Sequence, residues 1–142
     1  MKLISHRGNI DGINKEFENN PKYITQALER GFDVEIDVWL IDKDFYLGHD
    51  LPQYKIDFDF LVNPKLWCHA KNSYALSKLL ENKVHCFYHR DDNYTLTSQG
   101  IIWVYPKNLL YYNSVCVLPE KGYNGILEKC YGICSDYIID YV

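Results

Sequence analysis

A chain of 142 residues with 47% hydrophobic side chains is long enough to form one domain with a real core. Its formal net charge of −4 leaves no basic excess to neutralise phosphates, which excludes a general nucleic-acid binder. No apolar run approaches bilayer length, and Met1 to Arg7 hold no apolar signal core, so a soluble, cytoplasmic protein without stable membrane insertion is expected.

The elements follow in chain order. Lys2–Ser5 is a short apolar run, and Gly8–Asn20 a polar loop rich in Gly, Asn and Glu. Pro21–Arg30 places Tyr23, Ile24, Ala27 and Leu28 at helical spacing, with Gly31 as its stop. Asp33–Ile41 reads as a strand, and Asp42-Lys43-Asp44 turns it into Phe45–Leu47 as a hairpin. No stretch is long enough for an inserted, pocket-shaping segment, and Leu51–Asn63 is the only candidate for one. Leu66–Lys71 is a further strand, and Ser73–Asn82 a helix with Ser73 as its cap. Strands then recur at Val84–Tyr88, Ile101–Tyr105, Val115–Leu118 and Gly132–Ser135. Of the connections between them, only Gly125–Tyr131 has the pattern for a short helix.

Strand–helix–strand order in the first half predicts a parallel α/β sheet with right-handed crossovers, in one domain spanning residues 1–142. The strand count is about seven, and ordinary eight-fold βα barrels need roughly 200 residues or more. The expected fold is therefore a compact, possibly incomplete TIM-type βα barrel with reduced outer helices. Five scattered cysteines (Cys68, Cys86, Cys116, Cys130, Cys134) lack the tight pairs of a zinc site and read as reduced core thiols.

The chemistry concentrates in two short stretches. Ile4-Ser5-His6-Arg7-Gly8 and Glu35-Ile36-Asp37-Val38, followed by Leu47-Gly48-His49-Asp50, each begin apolar and end polar, as strand exits do. Glu35 and Asp37 are two apart, so on a strand their carboxylates share a side, where they repel unless a cation lies between them. That pair points to a hard divalent ion, and two histidines and an arginine beside it would make a metal-assisted phosphoryl-transfer site.

His6-Arg7-Gly8, Glu18-Asn19, Glu35-x-Asp37 and His49-Asp50, in that order, resemble the opening of glycerophosphodiester phosphodiesterases, within the phosphatidylinositol phospholipase C-like superfamily of barrels. The match covers mainly the first 50 residues; His69-Ala70-Lys71 and Ser135-Asp136 resemble later strand ends more loosely. The resemblance implies His6 and His49 as general acid and base, Glu35 and Asp37 as ligands of Mg²⁺ or Ca²⁺, and Arg7 and Lys71 as clamps on a small phosphodiester substrate. It implies Glu18 and Asn19 as substrate contacts.

One departure concerns the metal: the family's third metal carboxylate corresponds here to His69, which shares a face with Trp67 and Lys71. An imidazole ligand suits Mn²⁺ or Zn²⁺ better than Mg²⁺ or Ca²⁺. Glycerophosphodiester hydrolysis is the expected activity, and a non-catalytic relative that binds a phosphorylated ligand or a protein partner is the alternative. His85, Phe87 and His89 share a face; His89, Trp103, Tyr105 and Glu120 are expected in loops or the core rather than in the site.

Overall fold

The sequence Asp-Val-Glu-Ile-Asp-Val-Trp-Leu-Ile alternates polar and apolar residues, and in a computed structural model covering residues 1–142 it becomes the central strand, β2 (Asp33–Ile41). Val34, Ile36 and Val38 point to one side and join the main apolar core, while Asp33, Glu35 and Asp37 point to the other. Three strands pair with β2. β1 (Lys2–His6) and β5 (Leu66–Ala70) flank it in parallel, and β3 (Asp44–Leu47) folds back along its last residues antiparallel.

β3 continues antiparallel into β4 (Tyr54–Ile56), and β5 carries β6 (Cys86–Phe87) on its outer side. Beyond β1 lie β10 (Gly132–Ser135), β9 (Ser114–Val117) and β8 (Ile102–Val104), all parallel. An antiparallel edge strand, β7 (Tyr94–Leu96), ends that side. α1 (Pro21–Glu29), the single turn α2 (Phe58–Leu61) and α3 (Ser73–Glu81) are the only α-helices, with 3₁₀ turns at Pro119–Lys121 and Ile138–Tyr141.

The TIM-type βα barrel expected from the sequence is therefore not formed. The chain builds a mixed, curled half-barrel of strands with three helices, two of which cover the β1–β5 region. The physical reason lies in the connections: those after β6, β8 and β9 form an edge hairpin, coil and a 3₁₀ turn instead of helices, with Pro106, Pro119, Gly122 and Gly125 interrupting any helical run. β6 and β8 do not pair. A turn fills part of the gap between them, with Ser98 N–H donating to the Cys86 carbonyl at 2.8 Å and Cys86 N–H donating to Ser98 Oγ at 2.9 Å.

Several local expectations also change. Asn72, not Ser73, caps α3, its side chain accepting from Ala75 N–H, because the capping residue must precede the first helical one. The strand expected over Val84–Tyr88 shrinks to two residues, and Gly125–Tyr131 forms turns rather than a helix. Leu51–Asn63 holds β4 and α2 and packs Phe58 against Phe45, so it extends the core instead of forming a free insertion. All five cysteines are buried and unpaired. No helix is long and apolar enough to cross a membrane.

The curl leaves two apolar layers. The larger lies between the sheet's convex face and the helices. The smaller fills the base of the concave face with Ile4, Cys134, Val115, Trp67, Trp103 and Phe87, where the Trp67–Trp103 and Phe87–Trp103 rings lie 5.8 and 4.7 Å apart. This aromatic plug raises the floor of the half-barrel and pushes polar side chains on the same faces toward its mouth.

His85 is the polar member of that plug: it is 6% exposed, packs 4.3 Å from the Trp67 ring, and its Nε2 lies 2.8 Å from Thr97 Oγ1. Thr97 Oγ1 also accepts from Ile101 N–H at 3.3 Å, and its hydroxyl can either donate to or accept from a neutral His85 ring. Burial pushes the His85 pKa down from 6.5 to about 4, against an opposing pull from Asp33. The unfolded chain thus takes up a proton in this window that the folded chain refuses, so stability is complete above the unfolded pKa and falls as pH drops from 6.5 toward 4. We expect a loss on the order of 2 kcal/mol from this group on acidification. Urea unfolding across that range checks it: His85→Gln should flatten the pH slope, and an unaltered slope would remove His85 as its source.

Candidate metal centre and surrounding cavity

The side chains of the candidate site reach the concave side from β2 itself, from the ends of β1, β3 and β5, and from the β1–α1 loop. The register places His6 beside Glu35, and Asp37 beside His69. Glu35 is 3% exposed and Asp37 fully buried, a costly placement for two carboxylates unless cations or donors surround them.

Asp37 is the more heavily supported of the pair. Asn19 donates through Nδ2 to Asp37 Oδ2 at 2.8 Å, and the Asp37 N–H donates back to Asn19 Oδ1 at 2.9 Å. Asn19 reaches this position from a left-handed backbone (φ 63°), a conformation that asparagine tolerates well. Arg7 Nε lies 3.1 Å from the same Oδ2, and Lys71 Nζ lies 3.9 Å from Oδ1. Burial raises the Asp37 pKa, but His69, Arg7 and Lys71 more than offset it and hold the carboxyl well below its usual range. Glu35 goes the other way: burial first, then the Asp37 charge, push its pKa up, and His6, Arg7 and His69 only partly oppose them.

Two oxygens in this cluster, Glu35 Oε2 and Asp37 Oδ1, are buried without any hydrogen-bond donor. His69 Nδ1 lies 3.2 Å from Asp37 Oδ1 and 3.9 Å from Glu35 Oε1. One donor atom from each of Glu35, Asp37 and His69 can be chosen so that all lie within 4.8 Å of one another, a set able to hold a metal ion. On the far side of the ring, His69 Nε2 contacts the His89 carbonyl at 3.4 Å, and the ring lies parallel to those of Phe87 (5.1 Å) and His89 (4.4 Å), which are themselves 5.8 Å apart. A proton on Nε2 directed at that carbonyl leaves the Nδ1 lone pair facing the carboxylates, as in metal-binding histidines.

The two remaining histidines share one design. His6 Nδ1 donates to Asp136 Oδ1 at 2.7 Å, and His49 Nδ1 donates to Asp50 Oδ1 at 2.8 Å, an assignment that follows because ionised carboxylates only accept. Each ring thus keeps its Nε2 for another partner; that of His6 is 3.8 Å from Glu35 Oε2. Burial lowers the His6 pKa, yet Asp136 and Glu35 raise it further, so the net shift is upward. Asp136 in turn is lowered: His6 and Asn9 outweigh its burial. His49 sits after Gly48, whose φ of 152° and close approach to the Leu51 carbonyl leave no room for a Cβ, so glycine is required to aim His49 at the cavity.

A cavity of about 650 Å³ opens above this floor. His6, Arg7, Glu18, Glu35, His49, His69 and Lys71 all line it. Asn19 and Asp37 do not; they are buried beneath, so Asn19 positions Asp37 where a substrate contact was expected. Glu18 also acts as a tether, accepting from Arg7 at 3.2 Å and from Asn9 Nδ2 at 3.0 Å.

Three participants carried no role in the sequence reading. Asp136 orients His6, Asn9 bridges Glu18 and Asp136, and His89 backs His69. The strand-exit rule that singles out His6 also applies to Asp136 and to His89, which directly follows the Val84–Tyr88 run, so both were findable; Asn9 had no local signal. Trp103 and Tyr105, expected in the core, border the cavity as well.

Loss of one charged ligand usually costs tenfold or more in metal affinity. Glu35→Gln and Asp37→Asn should each weaken binding of a divalent ion at least tenfold in a calorimetric titration, and unchanged affinity would take that residue out of the ligand set. Asn19→Ala should destabilise the fold by about 2 kcal/mol, because two buried bonds to Asp37 vanish together; chemical denaturation checks this.

No family model, curated protein or solved structure matches this chain.

Proposed function

We propose that the protein is a metal-dependent phosphodiesterase that cleaves a small, glycerophosphodiester-type substrate by histidine acid–base catalysis. The observation that carries this reading is the pair of buried, donor-free oxygens, Glu35 Oε2 and Asp37 Oδ1: Glu35 lines a cavity that also presents two carboxylate-tethered histidines, and Asp37 lies directly beneath. It is the activity implied by the resemblance of the His6-Arg7, Glu18-Asn19, Glu35/Asp37 and His49 set.

Glu35, Asp37 and His69 would hold the ion, whose chemistry is to neutralise a phosphate oxygen as charge develops there. Two carboxylates accommodate Mg²⁺ or Ca²⁺, and the His69 nitrogen widens the choice to Mn²⁺ and Zn²⁺. Charge supports a cation at this point: Glu18, Glu35, Asp37 and Asp136 contribute −4 and Arg7 and Lys71 +2, leaving −2 before the histidines are counted.

The protein's own groups supply the rest. Arg7, fixed by Glu18 and Asp37 on a left-handed backbone (φ 56°), presents a rigid guanidinium to a phosphate. Lys71 adds a second positive charge from the exit of β5. His6 and His49 handle protons, one at the attacking oxygen and one at the leaving oxygen, each held by its carboxylate so that Nε2 faces the reaction. The aromatic plug beneath keeps water from the carboxylates' inner side.

Hydrolysis of bis(p-nitrophenyl) phosphate with Mg²⁺, Ca²⁺, Mn²⁺ and Zn²⁺ tests the reading. His6→Ala and His49→Ala should each lower kcat by roughly 10² or more, in the range for loss of an acid–base group. Wild-type rates matched by both variants under all four metals would leave phosphoryl-ligand binding as the better account. Asp136→Asn should lower kcat about tenfold or more while leaving metal affinity within a few-fold, because it orients His6 and touches no ligand of the ion. An equal loss of metal affinity would contradict that separation.

A further inference from the structure

The cavity has two chemically different halves. On the side of β1, β2 and β10 it holds all three carboxylates that line it: Glu18, Glu35 and Asp136. The opposite side, where the half-barrel stays open between β6 and β8, contributes no carboxylate to the lining. It presents Tyr88 and Arg90 after β6 and Trp103 and Tyr105 at the end of β8; Lys121 joins the lining from the 3₁₀ turn between β9 and β10, which packs on β10.

Neither Arg90 nor Lys121 has a carboxylate oxygen within 4.0 Å of its charged nitrogens. Asp91 and Asp92 follow Arg90 but stay outside the cavity lining, and Asp92 accepts from the Arg90 backbone N–H rather than from its guanidinium. Glu120, next to Lys121, is occupied elsewhere, accepting from Ser135 Oγ and from Asp136 N–H at 3.0 Å each. Arg90 Nε donates to Tyr88 Oη at 3.3 Å, which steadies the guanidinium and leaves its terminal nitrogens free for a ligand.

Five cations and three carboxylates line the cavity, a local excess of +2 in a chain of net −4. Arg7 and Lys71, beside Glu35 and Asp37, suffice for the reacting phosphate. A space of about 650 Å³ is of a size that takes a drug-sized ligand, far more than one phosphate.

We infer that Arg90 and Lys121, over the Tyr88–Trp103–Tyr105 wall, form a second anion subsite, so that the preferred substrate is a phosphodiester whose alcohol group bears its own phosphate or carboxylate. This rests on the phosphodiesterase reading for the reacting bond and adds the charge of the group attached to it. A cationic head group would face Arg90 and Lys121 with no carboxylate to receive it. The unfilled charge of the two residues is then the specificity element of the cavity.

The test compares two esters that differ by one phosphate, glycerophosphoinositol and glycerophosphoinositol 4-phosphate, on the full chain with divalent metal. The wild type should favour the 4-phosphate at least tenfold in kcat/KM, and the preference should fall below twofold in R90A/K121A. R90K/K121R, which keeps both charges, should retain most of it, excluding a merely structural effect. Equal rates on the two esters, or a preference unchanged in R90A/K121A, would overturn the subsite. If neither ester nor bis(p-nitrophenyl) phosphate is hydrolysed, the phosphodiesterase reading has failed, and calorimetric titration of the same two esters decides the subsite separately. At least tenfold tighter binding of the 4-phosphate, lost in R90A/K121A, would uphold it, and equal affinities would overturn it.

Discussion

Burying two carboxylates on one face of a single strand is the constraint around which this protein is arranged. Glu35 and Asp37 are 3% and 0% exposed, and each would cost several kcal/mol if left uncompensated. The compensation comes from three other segments. Arg7 and Asn19 arrive from the ends of the β1–α1 loop, both through left-handed backbone, while His69 and Lys71 arrive from β5 and His6 from β1. Even so, Glu35 Oε2 and Asp37 Oδ1 keep no donor. Natural proteins rarely leave such groups without a reason, and in a cavity floor the reason is usually a ligand.

The same strand explains why the site and the core do not interfere. One face of β2 puts Val34, Ile36 and Val38 under the helices, and the other carries the acids. A shift of one residue in register would exchange the two sets, so the apolar core locks the carboxylates in place. On the concave side, the Trp67, Trp103 and Phe87 cluster forms a dry base. Substrate chemistry is thereby confined to the strand exits, where loops rather than helices border the opening. The sheet stays open between β6 and β8, and Arg90, which has no carboxylate partner, lines the cavity just after β6.

Much of the site was legible in the sequence, for local reasons. The two-residue spacing of Glu35 and Asp37, the Gly48 that presents His49, and the polar residues ending each apolar run depend only on strand geometry and sterics. The fold was less legible. Strand–helix–strand order in the first half suggested a TIM-type βα barrel, possibly incomplete, but the second half forms a hairpin, coil and 3₁₀ turns in place of helices, and β6 and β8 do not pair. Short strands such as Tyr54–Ile56 and Tyr94–Leu96 exist because a neighbour's edge is available to them, not because three residues prefer that state.

The sequence by itself determined which face of β2 is charged, which residues stand at the strand exits, and that the cysteines belong to the core, since alternation and hydrophobicity act over a few residues. Tertiary structure alone decided that Asp136 holds His6 from 130 positions away, that His69 is backed by His89, and that the sheet stays open. Those outcomes depend on which strand ends meet. That is set by long-range pairing and by the packing of the aromatic plug, neither of which any short stretch of sequence contains.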